Sequence, residues 1–167
     1  MKNKYFIFSF LSLLYLIIGC TQPDPGKNLQ PLVDKYVGFW NTGEFEGIEN
    51  VLHAEFELRM TPKYDPEKGI EQFKKNITNW RKAYPDFTIV INEIFFSKER
   101  AAAIWTITAT NSGEGMHPST GKYIKVTGMS IIHFSEGKIK DEWIASNNGY
   151  WMQQLGFKIV SPFEDQE

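Results

Sequence analysis

The sequence predicts an α+β domain, a cone in which N-terminal helices pack on one side of a curved antiparallel sheet around an interior pocket. Three observations carry that reading. Apolar residues recur at steps of three and four through the first half of the chain and at steps of two through the second. Short turns rich in glycine and charge separate the alternating runs, as a meander requires. Aromatic residues make up 15% of the chain, enough to line a cavity as well as fill a core.

The elements follow in order. From Leu29 to Trp40 the residues Leu32, Val33, Tyr36, Val37, Phe39 and Trp40 form one wide apolar helical face, closed by Asn41-Thr42-Gly43. Glu44 to Leu52 reads as a second, shorter helix. Asp65-Pro66-Glu67 has the pattern of a helix start, with Asp as cap and Pro in the first turn. The helix that follows sets Ile70, Phe73, Ile77, Trp80 and Tyr84 on one face and ends at Tyr84-Pro85-Asp86. Then the period changes. Phe87 to Phe96 is a strand with Ile89, Ile91 and Phe95 on its apolar face. After a turn at Ser97–Arg100, Ala101 to Asn111 is the next strand, facing inward with Ala101, Ala103, Trp105, Ile107 and Ala109. A glycine-rich loop leads to the strand Tyr123–Phe134. The turn Ser135-Glu136-Gly137-Lys138 then leads to a final strand, Ile139–Asn147, on which Ile139, Asp141, Trp143, Ala145 and Asn147 share a face.

The first twenty residues stand apart. Lys2 and Lys4 precede an apolar run from Tyr5 to Ile18 that is short for a membrane span and has the proportions of a signal peptide. Leu16-Ile17-Ile18-Gly19-Cys20 resembles the bacterial lipobox, in which the cysteine thiolate takes a lipid and becomes the new N-terminus. The expected organisation is a leader over 1–19, a lipidated tether over 20–28, the folded domain over 29–160 and a tail over 161–167. Such a chain is lipid-anchored in the bacterial cell envelope. Thr21 after the cysteine, rather than aspartate, points to the outer membrane.

Composition excludes other classes. With 42% hydrophobic residues and a net charge of -2 over 167 residues, the chain carries enough apolar surface for one folded domain. Lys+Arg number 18 against 20 Asp+Glu, so no nucleic-acid partner is expected. Loss of Lys2 and Lys4 with the leader makes the remainder more acidic still. One cysteine allows no internal disulfide and no multi-cysteine zinc site. His53, His117 and His133 lack metal-ligand spacing, and no nucleophile triad or phosphate loop is present, so neither metal nor cofactor is expected.

Five short motifs stand in order between about Leu29 and Phe157: Ala83-Tyr84-Pro85-Asp86-Phe87, Ile104-Trp105-Thr106, Thr120-Gly121-Lys122 with Val126-Thr127-Gly128-Met129, Phe134-Ser135-Glu136-Gly137-Lys138-Ile139, and Glu142-Trp143 followed by Gln153-Gln154-Leu155-Gly156. Together they resemble the SnoaL-like polyketide cyclase (ester cyclase) family, of the nuclear transport factor 2-like superfamily. The resemblance implies a cystatin-like cone and a cofactor-free ring closure by aldol condensation, driven by an acid near the closing strand. In this chain Ile144 and Asn147 stand where the family ending carries aspartates, and Asn111 where many members carry histidine.

An enzyme of this family would therefore use another group, and Glu55, Glu93 and His133 are the candidates. Glu93 interrupts an apolar face and either titrates high there or reaches water at a bend. His53 lies at the edge of the expected pocket, and His117 in the solvated loop. Trp80, Trp105 and Trp143 offer ring faces to a small-molecule ligand, and Asn111 and Asn147 offer amides. Three roles stay open: an acid–base cyclase or isomerase, a non-catalytic ligand-binding lipoprotein, and an assembly module paired as a homodimer through the sheet face carrying Met129 and Ile131. The residues that line the cavity discriminate among them. An ionisable group there favours an enzyme, and a cavity that none of Glu55, Glu93, His53 and His133 touches counts against catalysis.

Overall fold

The computed structural model describes residues 26–60, 65–115, 118–158 and 160. The leader, Cys20, the first part of the tether, His117 and the tail over 161–167 lie outside the described residues. Helix α1 (Gly26–Thr42) begins three residues before its apolar periodicity and buries Leu29, Val33, Tyr36, Phe39 and Trp40. It ends on Gly43, whose φ of 73° lets its N–H reach Phe39 O at 2.9 Å. The expected second helix is only a 3-10 turn (Ile48–Asn50), because Gly47 bends the chain and Leu52 already opens strand β1 (Leu52–Met60). Asp65-Pro66-Glu67 likewise does not start a helix. Glu67 and Lys68 form a two-residue strand, β2, paired with Leu58 and Glu57, and helix α2 (Ile70–Ala83) begins only after Gly69. Its Phe73 and Ile77 are buried as the spacing predicts.

Strands β3 (Thr88–Ser97), β4 (Arg100–Thr110), β5 (Tyr123–Ser135) and β6 (Lys138–Ser146) form the meander, and helix α3 (Asn148–Leu155) follows. The periodicity reading did not include α3. Its signal is local: the Asn147 side chain accepts from Tyr150 N at 2.9 Å and Gly156 closes the other end with φ 99°. The six strands lie in the order β2-β1-β6-β5-β4-β3. The sheet is mixed, since β1 runs parallel to β6 while every other pair is antiparallel. The helices cover its concave face, giving the α+β cone.

Two one-residue bulges decide which side chains look inward. In β3, Ile91 pairs with Trp105 but Glu93 pairs with Ile104, so Asn92 is extra. Beyond it the alternation inverts: Ile94 and Phe96 pack on the core, while Glu93 and Phe95 face water, Phe95 at 62% exposure. In β6, Phe134 pairs with Ile139 but His133 pairs with Asp141, so Lys140 is extra. Ile139 still points inward, and past the bulge the inward set is Glu142, Ile144 and Ser146. Trp143 lies on the outer face at 47% exposure. The expected face of Ile139, Asp141 and Trp143 is thereby broken after its first member.

Candidate active site

Between the helices and the sheet lies a cavity of about 480 Å³. Its walls are largely aromatic, with Trp40 from α1, Trp80 and Tyr84 at the end of α2, Trp105 from β4 and Trp151 from α3. Trp80 and Trp151 meet edge to face at 5.3 Å, and the Trp151 indole N–H donates to Tyr84 Oη at 3.1 Å. The glycine-rich loop closes against the end of α2. Gly113 N–H donates to Ala83 O at 3.1 Å, and a Cβ on Gly113 would lie 1.9 Å from Lys82 O.

Glu142 projects from the inner face of β6 into this apolar surrounding and is only 5% exposed. Tyr36 Oη on α1 donates to its Oε2 at 2.5 Å. Trp105 Nε1 donates to Ser130 Oγ on β5 at 2.8 Å, and an indole nitrogen can only donate, so the serine oxygen accepts and keeps its own hydrogen. Trp105 reaches Ser130 by lying over Gly128, its direct cross-strand partner. A Cβ at Gly128 would sit 2.1 Å from the indole Cη2.

Burial pushes the Glu142 carboxyl above the usual carboxylate range, and the hydrogen bonds from Ser130 and Tyr36 oppose that rise without cancelling it. Burial, and then the neighbouring Glu142, raise the Tyr36 phenol well above its ordinary value. The arrangement is a buried carboxyl that holds its proton more tightly than an ordinary glutamate, beside a phenol that stays neutral.

Of the residues picked out from the sequence, Trp80, Trp105 and Asn111 line the cavity. Asn111 is buried, and its Oδ1 accepts from Thr120 N and Oγ1 at 2.9 and 3.0 Å, so its amide NH₂ is what remains for a ligand. The proposed acids and bases lie elsewhere. Glu55 is on the outer face, where a hydrogen bond from Lys140 Nζ at 2.6 Å, and that ammonium charge, hold its carboxyl below the usual range. Glu93 faces water after the β3 bulge. His133 is also on the outer face, with Nδ1 2.6 Å from Asp141 Oδ1. His53 sits beside Lys140 and Glu136. None of these four touches the cavity, so the catalytic candidates expected from the sequence are withdrawn; among the described residues, the carboxyls that do line it are Glu142 and Glu67. Trp143 is stacked under Arg59 on the outer surface, with the guanidinium 5.0 Å from the ring, and Asn147 is spent capping α3. Tyr36, Ser130 and Glu142 were missed as site residues. The available signal was the inward alternation of Ser130 with Ile132 on β5, but Glu142 was hidden by the bulge.

A family model described as SnoaL-like polyketide cyclase matches residues 30–155. The chain belongs to that family. Among solved structures, TsrD from Streptomyces laurentii superposes with a TM-score of 0.70 at 21% identity, over 78% of this chain and 96% of that one. A Bacillus cereus protein assigned as a polyketide cyclase gives 0.65 at 26% identity, over 77% and 80%. IdmH from Streptomyces antibioticus gives 0.68 at 20% identity, over 77% and 99%. No curated protein matches the chain. The SnoaL-like fold thus spans nearly everything between α1 and α3.

Proposed function

We propose that this protein is an envelope-tethered SnoaL-like domain that holds a small, partly apolar organic molecule in its cone and moves protons on it through Glu142. One observation carries the reading: a buried carboxyl, raised by its surroundings, opens onto an aromatic cavity. Ile144 and Asn147 cannot serve as acids, and Glu142 fills that need from inside the same strand. The chemistry that fits is of the cyclase or isomerase type. The carboxylate takes a proton from carbon next to a carbonyl, and the enolate then attacks a second carbonyl within the same molecule. The carboxylic acid returns the proton to the new alkoxide, so the cycle balances without a redox partner. The hydrogen bond from Tyr36 holds the carboxyl in place throughout.

The test uses a bicyclic ketone such as tetralone in heavy water, with deuterium uptake next to the carbonyl read by NMR. The full-length protein is expected to speed uptake about a hundredfold over buffer, and Glu142→Gln to return it to the buffer rate. Equal uptake by the variant overturns the assignment. A ketone that binds but exchanges only at the buffer rate leaves a binding protein without turnover.

The tether reading has its own support in the lipobox-like Leu16–Cys20 segment, and Thr21 in place of aspartate after the cysteine supports the outer membrane as its site. Cys20→Ala is expected to move the protein from the detergent phase to the aqueous phase on cloud-point partition. Unchanged partition would remove the lipid anchor from the account.

A further inference from the structure

The hydrogen-bond directions around Glu142 say something about the ligand's charge. The Trp105 indole N–H is spent on Ser130 Oγ. The Tyr36 hydroxyl hydrogen is directed at Glu142 Oε2. A buried hydroxyl that donates to the carboxyl is complementary to a carboxylate rather than to a carboxylic acid. Yet no Lys, Arg or His is among the described residues that line the cavity. A buried carboxylate with hydrogen bonds but no cation is under-compensated. The rings of Trp40, Trp80, Trp105 and Trp151 line the same cavity, and the π face of an indole favours positive charge. An anion in the same place would meet a carboxylate.

We propose that the cone takes a lipophilic amine as its ammonium ion, with the charge seated against Glu142 and the apolar body against the Trp40, Trp80, Trp105 and Trp151 rings. The inference rests on the reading of the cone as a ligand pocket and is independent of proton transfer by Glu142. The ligand supplies a cation that the described lining residues lack. A cavity of about 480 Å³ leaves room for a ring system behind the ammonium group.

Three probes of one shape test it by isothermal titration calorimetry on the full-length protein at neutral pH: phenylbutylamine, phenylbutanol and phenylbutyrate. The amine is expected to bind about tenfold more tightly than the alcohol, with the carboxylate weakest. In Glu142→Gln the amine should fall to the alcohol's affinity while the alcohol is unchanged. The ranking within the unaltered protein stands as a test even where that variant fails to fold. An alcohol or carboxylate that matches the amine, or an amine preference that survives in Glu142→Gln, overturns the ammonium assignment alone. Failure of all three probes to bind overturns it together with the pocket reading.

Discussion

A carboxyl walled in by aromatic rings is costly to ionise, and among the described residues lining the cavity Glu142 meets that cost with the Tyr36 hydroxyl donor and no basic partner. Its effect on stability has a definite sign. Because the folded state holds the proton more tightly than the unfolded chain, Glu142 imposes no penalty below the ordinary glutamate value of about 4.3. As pH rises from there through the folded value, the native state is progressively disfavoured, by up to about 1.4 kcal/mol per pH unit. Glu142→Gln removes that dependence. Denaturant unfolding of the two proteins, run from acid to neutral pH, should show the difference moving in favour of the glutamine variant. A constant difference across that range would mean that the carboxyl titrates as an ordinary glutamate. The residue's role was hard to read beforehand for a simple reason. Alternation counted from Ile139 puts Trp143 inside and Glu142 outside, and only the extra residue Lys140 reverses them.

At the scale of elements, the same device explains Glu93, which an uninterrupted β3 would bury and the Asn92 bulge turns to water. Regular stretches were legible because their burial follows one period throughout. Strand β4 alternates without a break from Ala101 to Ala109, and α2 keeps Phe73 and Ile77 inside. Short or irregular pieces were not. Pro66 and Glu67 look like a helix start, but pairing with β1 wins over local preference. The long-range parallel pairing of β1 with β6 leaves no local trace. The β5–β6 hairpin was legible as a turn, and its residues Glu136 and Gly137 both have positive φ, 53° and 71°. Gly128 shows how one element positions another, since the bare backbone there is the bed for the Trp105 indole that orients Ser130. Gly128→Ala is expected to cost about 1–3 kcal/mol in denaturant unfolding and to alter the near-ultraviolet tryptophan signal. A loss below about 0.5 kcal/mol with an unchanged spectrum would show that the indole does not lie on that backbone.

At the scale of the molecule, the fold class was legible because a switch from helical to alternating periodicity leaves few architectures, and the cone is one that buries both patterns. The candidate site was legible only in its walls. Trp80, Trp105 and Asn111 lie where regular helix and strand alternation puts them, while the acid at the hub depends on a bulge and on a tyrosine from a helix more than a hundred residues away in sequence, as the Tyr36–Glu142 separation of 106 records. Helices α1 and α3 and the meander enclose one interior, and the proposal assigns the proton exchanged there to Glu142. The carbon-13 NMR titration of glutamate side-chain carboxyls in the folded protein, with Glu142 assigned by its loss in Glu142→Gln, tests this most directly. The account predicts a Glu142 midpoint clearly above about 4.3, raised further in Ser130→Ala, which removes a donor to the carboxylate. A midpoint at or below the ordinary value, insensitive to Ser130, would contradict it.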